Sequence, residues 1–432
     1  MSRLAINGGT PVRTQGYPAW PVFDDRERQA VAQVLESGNW GGYPFPNCQA
    51  KIFADRFAGA HNARFAIPVA NGTVTIEAAL RAIGVGPGDE VIVPAFTFEA
   101  TASPVLQVGA IPVFVDVLPE SYCLDPAAVE SAIGPRTRAV IPVHLAMNMA
   151  DMDAVMQVAA RHGLKVIEDC AHAHGAKWRG KGAGSIGEAG SFSMQTTKLM
   201  TAGEGGAIIT NNQEVFELCQ SYVNCGRASE TDKFGHRILG FNYRITEFQA
   251  AILVAQLERL PGQNRLREAR AAYLSRQLAE VDGLEVLPRD DRLTSQAIYR
   301  YVFKYRAEAF GGADRSRFLA ALEAEGFACE GAFYEPVYRS ALFEIDPEKF
   351  PQLEGRLPWA RVRCPVAEKA AYVESIWIPH EALLGSENDI DALVEAIRKL
   401  QANTGELLTA HNPLIESKSM SRAGRANKAK QK

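Results

Sequence analysis

One lysine stands out for its surroundings. Lys198 lies in MQTTKLMTAGEGG (194–206), between small hydroxyl residues and the close-set glycines Gly203, Gly205 and Gly206. A lysine amine is a nucleophile only after losing its proton, which burial or a nearby cation favours. Glycines beside it let the backbone pack tightly against a ligand. Taken alone, the segment also reads as a solvated surface loop.

Two other stretches carry chemistry. In AIPVANGTVTIEAALRAIGVG a strand runs through Asn71-Gly72-Thr73 into a helix, whose free N–H groups and Thr73 hydroxyl suit an anion such as phosphate. A plain turn with an N-cap accounts for the same residues. No GK[ST] follows, so this is not a Walker loop. In LKVIEDCAHAHG an apolar strand ends in Glu168 and Asp169 and is followed by His172 and His174. Acids at the carboxyl end of a central parallel strand stand where ligands bind in such sheets. Asp169, His172 and His174 as metal ligands is a rival reading, without a compact H-E-x-x-H arrangement, and ordinary hydrogen-bonded histidines are a third. In combination, a phosphate cradle, a strand-end acid and an amine are what pyridoxal phosphate requires.

The elements that must position these residues follow from periodicity. Apolar, β-branched runs (RFAIPVA, EVIVP, IPVFVDV, RAVIPVH, LKVIEDC) alternate with helical patterns, the signature of an α/β domain with a mostly parallel sheet covered on both faces. GSFSMQ and GAIIT add strands, and RITEFQAAILVAQLERL is strongly helical. The expected division is an N-terminal arm and large domain over 1–262, a connecting helix from 263 and a smaller α+β domain to 405, and a basic disordered tail over 406–432. A chain of 432 residues can bury a large core and is expected to fold without help from metals or disulfides, and no metal is expected at the site.

Charge and cysteines exclude other classes. Against 50 acidic residues stand 46 basic ones, a balance that points to small-molecule partners rather than nucleic acid or membrane. Seven scattered cysteines with no CxxC pair read as reduced, cytoplasmic thiols, and no apolar run is long enough to cross a bilayer. A nicotinamide dehydrogenase is excluded because ANGTVT stands where G-x-G-x-x-G is required.

NGT (71–73), PAFTFEATASPV (94–105), EDCAHAHGAKWRGKGAG (168–184), FSMQTTKLMTAGEGG (192–206) and GFNYRITEFQAAI (240–252) occur in an order that resembles the DegT/DnrJ/StrS family of sugar and cyclitol aminotransferases, over residues 4 to 400. Through LAINGGTPVR, PAWP, PVHLA, ADMDA and KLMTAGEGG the chain is most similar to the branch holding scyllo-inosose aminotransferases and 3-amino-5-hydroxybenzoate synthase. The resemblance implies the aspartate-aminotransferase (type I) fold, pyridoxal 5′-phosphate, and a homodimer with shared active sites. It implies that Lys198 forms the internal aldimine and carries protons, and that Asp169 pairs with the pyridine nitrogen. Gly72, Thr73 and Ser193 would hold the phosphate, with Asn242 reaching from the second subunit and Phe98 over the ring face. The resemblance would place His172 near the cofactor's phenolic oxygen, where many relatives have glutamine and the hydroxybenzoate-synthase-like branch has histidine. Glu204, Arg227, Tyr243 and Arg244 match motif positions with supporting or substrate-side roles. The related sugar dehydratases carry histidine at the Lys198 position, so the implied reaction is ping-pong transfer from glutamine or glutamate to a keto-cyclitol or keto-sugar. Hydroxybenzoate-synthase-like activity, dehydration, and a non-catalytic cofactor-binding regulator are the alternatives.

Overall fold

A computed structural model describes residues 3–228, 234–345, 348, 350, 353 and 359–409. The apolar runs become β1 (Phe65–Val69), β2 (Glu90–Pro94), β3 (Ile111–Val115), β4 (Thr137–Val140) and β5 (Lys165–Asp169). A short pair, β6 (Lys177–Trp178) and β7 (Lys181–Gly182), precedes β8 (Ala189–Ser193) and β9 (Gly206–Thr210). Seven of these form one sheet in the order β1-β9-β8-β5-β4-β2-β3. All neighbours pair in parallel except at β9, which runs against both β1 and β8. Val91, Ile92, Val93, Val140, Val166, Ile167 and Ile208 are almost wholly buried, as strands covered on both faces require.

A second sheet is antiparallel and follows the order β10 (Leu284–Val286), β12 (Arg300–Tyr305), β13 (Ser375–Pro379), while β11 (Leu293–Ser295) pairs with β6. Helices Arg315–Ala324 and Glu387–Ala402 accompany it, close to the expected SRFLAALEAEG and IDALVEAIRKLQANTG.

Local signals fix several helix ends. Helix Asp25–Ser37 starts in a capping box between Asp24 and Glu27 and stops at Gly38, whose φ of 65° is left-handed. Helix Cys48–Ala60 has no cap from its own Asn47; the buried carboxylate of Glu247 accepts from the amides of Gln49 (2.6 Å) and Ala50 (2.9 Å) instead. A carboxylate there satisfies orphan donors and complements the positive helix end.

The structure departs from the sequence expectation at two boundaries. One helix, Glu247–Leu278, runs straight through 262–263, with Pro261 inside it. Leu257, Leu260, Asn264 and Arg267 are buried along it, so tertiary packing overrides a Pro-Gly pair that ends helices on propensity alone. The first residues of the expected tail, 406–409, are ordered, because Thr404–Thr409 is helical. There the Glu406 carboxylate accepts from the amide of Leu4 at 2.9 Å, tying both ends of the described chain together. The remainder of the expected tail, 410–432, lies outside the described residues.

Glu168 is a structural device rather than part of a cleft. It is fully buried and accepts four hydrogen bonds: from the amides of Gly184 (2.9 Å), Ile186 (2.7 Å) and Gly187 (2.8 Å), and from His144 Nε2 (3.0 Å). Because the amide of Ala150 donates to His144 Nδ1, the ring proton sits on Nε2 and points at the carboxylate. Replacing one oxygen with an NH2 would set donor against donor. Glu168→Gln is therefore expected to lower unfolding stability by about 3 kcal/mol, measured by denaturant titration of the purified protein.

Candidate active site

The cleft opens at the carboxyl ends of the central strands and encloses about 1200 Å³. Gly72, Thr73, Phe98, Asp169, His172, Ser193 and Lys198 all line it, as do Glu204 and Tyr243. From Gly72 to Tyr243, chain segments 171 positions apart thus meet at one place.

On one wall, helix Gly72–Ala82 points its N-terminus into the cleft. Asn71 Oδ1 accepts from the amides of Thr73 and Val74, both at 3.1 Å. The N-cap reading is thus correct for Asn71, and two amides offered to an anion are already used. The Gly72 amide and the Thr73 hydroxyl have no partner among the described residues. Gly72 is irreplaceable on steric grounds, since a Cβ there would stand 2.6 Å from Ser193 Cβ. Gly206 is equally constrained: its Cβ would meet the carbonyl oxygen of Asn71 at 2.5 Å.

Asp169 ends β5 with its side chain turned to the cleft. Its Oδ2 accepts from the Thr101 hydroxyl at 2.7 Å, and Oδ1 from the amide of Ala171 at 3.1 Å. A carboxylate only accepts, so Thr101 must in turn accept from Thr97, 2.9 Å away. The metal reading fails here. Among the described residues, the cluster of potential ligand atoms is His144, Glu168 and Cys170, without Asp169, His172 or His174. Glu168 in that cluster is already saturated by its four donors. His174 is buried, and its ring makes no well-formed hydrogen bond among the described residues, only an approach to the backbone of Ser193. Burial pushes its pKa down to about 3, which keeps it neutral.

His172 is held by two partners. The amide of Ala146 donates to Nδ1 (3.2 Å), so Nε2 carries the proton and donates to the Tyr334 hydroxyl at 3.1 Å. Its ring stacks on Tyr299 with centroids 4.1 Å apart. Burial first, then the positive charges of Lys198 and Arg300, hold its pKa well below the usual histidine value.

Lys198 Nζ stands 4.6 Å from the centre of the Tyr299 ring. Burial lowers its pKa from 10.5 to about 8; the Asp169 carboxylate opposes this and Arg300 adds to it. Desolvation outweighs the ion-pair attraction, which leaves a far larger neutral fraction of amine near physiological pH than a solvated lysine has.

Asn242 is the exception among the residues expected at the cofactor. It is exposed, bridges Asn224 in antiparallel fashion, and lies outside the cleft of its own chain. Arg244 donates to Asn224 Oδ1 at 3.0 Å, and Arg227 stacks over Tyr43 at 5.1 Å; neither lines the cleft. The loop 38–48 does not line it either, and Trp40 packs on Phe248 at 5.9 Å. Thr101, Tyr299 and Tyr334 were missed by sequence reasoning. Thr101 sits inside PAFTFEATASPV, where a hydroxyl one turn beyond Thr97 was a usable signal, whereas Tyr299 and Tyr334 have none nearby.

An α/β fold with a depressed-pKa lysine, a strand-end carboxylate and an open helix N-terminus in one cleft defines an enzyme of amino-group transfer. The chain belongs to the DegT/DnrJ/EryC1/StrS aminotransferase family, whose model matches residues 21–398. It is 44% identical, over 94% of its length and 99% of the relative's, to a putative L-glutamine:3-amino-2,3-dideoxy-scyllo-inosose aminotransferase of Streptoalloteichus tenebrarius. It is 41% identical to an L-glutamine:2-deoxy-scyllo-inosose aminotransferase of the same organism, over 94% of this chain and 99% of that one. Among solved structures, 3-amino-5-hydroxybenzoic acid synthase superposes with a TM-score of 0.80 at 36% identity, covering 90% of this chain and all (100%) of the other. The type I aminotransferase fold expected from the sequence is the one observed. Among the described residues no helix is long and apolar enough to cross a membrane.

In the cofactor-free protein, labelling of Lys198 by an amine-directed reagent should rise with pH around a midpoint of about 8. Below that pH the amine is protonated and unreactive. Asp169→Ala should move the midpoint lower, because the carboxylate favours the charged form. Mass-spectrometric quantification of the Lys198 peptide across pH checks both.

Proposed function

We propose that the cleft binds pyridoxal 5′-phosphate through Lys198 and transfers an amino group from L-glutamine or L-glutamate to a keto-cyclitol or keto-sugar in two successive half-reactions. The observation that carries this reading is the neutral-prone amine of Lys198 sharing a cleft with Asp169 and an open helix N-terminus. The residues fit the group. Gly72 packs so closely on Ser193 that no side chain fits between them, which sets the Gly72 amide beside the Ser193 hydroxyl at the cleft wall, and Asp169 lines the same cleft.

When bound, the cofactor supplies an electron sink for the substrate's Cα–H bond. Asp169 would hold the ring nitrogen protonated, which its two hydrogen-bond donors prepare by fixing the carboxylate's orientation. Gly72, Thr73 and Ser193 would bind the phosphate. Phe98, exposed at the cleft and 6.2 Å from Tyr334, would cover the ring, and His172, whose Nε2–H donates to Tyr334 in this structure, would turn that donor to the cofactor's phenolic oxygen. Lys198, released by the incoming amine, would move the proton from substrate carbon; a pKa near 8 suits it to both accept and return that proton.

Asn242 would serve the cleft of a second copy, which makes a homodimer part of this reading; its exposure and distance from its own cleft support that. The acceptor assignment rests on the scyllo-inosose acceptors in the relatives' names, and glutamine as donor has the same support. Seven free cysteines support a cytoplasmic site of action.

The test is direct. With pyridoxal phosphate and L-glutamine alone, the purified protein should convert the bound cofactor to its amine form, and scyllo-inosose-type ketones should reverse the absorbance change. Lys198→Ala should reduce turnover by about a thousandfold or more. Wild-type turnover in that variant would sink the mechanism.

A further inference from the structure

A fully buried arginine on the long helix is unexplained by the cleft residues above. Arg267 has no solvent exposure, and its nearest polar partners are neutral: Nη1 donates to Asn264 Oδ1 at 3.2 Å and Nη2 to His380 Nδ1 at 3.2 Å. Its Nε is buried without a partner. The guanidinium also stacks over Trp20, 5.3 Å from the ring centre. Burial drives its pKa down to about 9, against the opposing charge of Glu381. Apolar residues of similar volume often fill such a site at lower free energy. What the arginine does provide is direction. It can only donate, so His380 Nδ1 must accept and the ring proton must sit on Nε2.

That proton points at the lysine loop. His380 Nε2 donates to the carbonyl of Thr197, 3.1 Å away and one residue before Lys198. Trp20 Nε1, on the N-terminal arm, donates to the adjacent carbonyl of Thr196 at 2.8 Å. The Thr197 hydroxyl donates to Gln195 Oε1 at 2.8 Å, so it accepts from the Tyr299 hydroxyl, also at 2.8 Å. Three separate elements therefore grip the two residues before the lysine. The Trp20 ring meets His380 edge-on at 4.5 Å, which joins two of the three grips into one unit. Arg300 and Glu381 are the other charged groups beside it, 3.7 Å apart, with Glu381 Oε2 lying 3.8 Å from His380 Nε2.

We propose that Arg267 is a positioning residue for Lys198: by donating to His380 Nδ1 it fixes the tautomer that clamps the Thr197 carbonyl, and so sets where the lysine amine stands. The inference rests on the cofactor reading above and goes beyond it, because neither Arg267 nor His380 lines the cleft. In the other tautomer, His380 Nε2 would turn a lone pair toward the carbonyl, and the loop would lose its hold beside the reacting amine.

The test uses the cofactor-loaded enzyme. His380→Phe keeps the ring against Trp20 and removes both hydrogen bonds; Arg267→Met removes the donor, and Arg267→Lys restores one. The readouts are the pH midpoint of the bound cofactor's absorption, the rate of cofactor loss on gel filtration, and kcat and KM for glutamine. The expected result for His380→Phe and Arg267→Met is a midpoint displaced by about half a unit or more, faster cofactor loss, and kcat reduced about tenfold or more with KM little changed. Arg267→Lys should recover much of each. If Arg267→Met does not fold, His380→Phe decides alone. A His380→Phe enzyme with the wild-type absorption midpoint and kcat overturns the inference, even if it melts at a lower temperature. A wild-type protein that takes up no cofactor overturns the proposed function instead, so the two failures are distinguishable.

Discussion

The alternation of side chains along a strand separates two acids that are neighbours in sequence. At the end of β5, Glu168 turns into the protein and Asp169 turns to the cleft. Glu168 collects three backbone amides from 184–187 and the proton of His144, which fixes the loop leading into β8. β8 in turn carries Ser193 and leads to Lys198. Asp169 faces the cleft only because its neighbour is saturated on the other side. A one-residue slip of β5 would exchange the two carboxylates and leave buried amides without an acceptor.

Much of this arrangement was legible along the chain because it depends on local pattern. Apolar strands, the helix opening at Gly72 and the glycines after Lys198 can be read from a few consecutive residues. The glycines at 72 and 206 have a steric reason that only the fold reveals: one opposes Ser193 and the other the backbone of Asn71. The sequence left open whether Asn71 caps a helix or borders an anion site. The structure shows the cap, with the Gly72 amide and Thr73 hydroxyl left over beside it.

What was not legible depends on distant segments. Tyr299 precedes a strand of the second sheet, yet its ring lies against both Lys198 and His172. Tyr334 meets His172 from farther along the chain. Nothing near either residue in sequence marks it. The break expected at 262–263 failed for a related reason: Pro261 and Gly262 have unfavourable helix propensities, but Leu260, Asn264 and Arg267 pack along one continuous helix. Asn242 is exposed and lies outside the cleft of its own chain.

The reversed strand β9 has a wider consequence. It pairs with β1 and β8 at once, bringing Gly206 against Asn71 while the same loop carries Lys198. The lysine loop and the helix opening at Gly72 therefore share one backbone seam with no room for an added methyl group. Ala332, Glu335, Ser340 and Ala341 also line the cleft and belong to neither strand. Substitutions there can reshape the cleft without touching that packing, whereas the seam confines positions 72 and 206 to glycine.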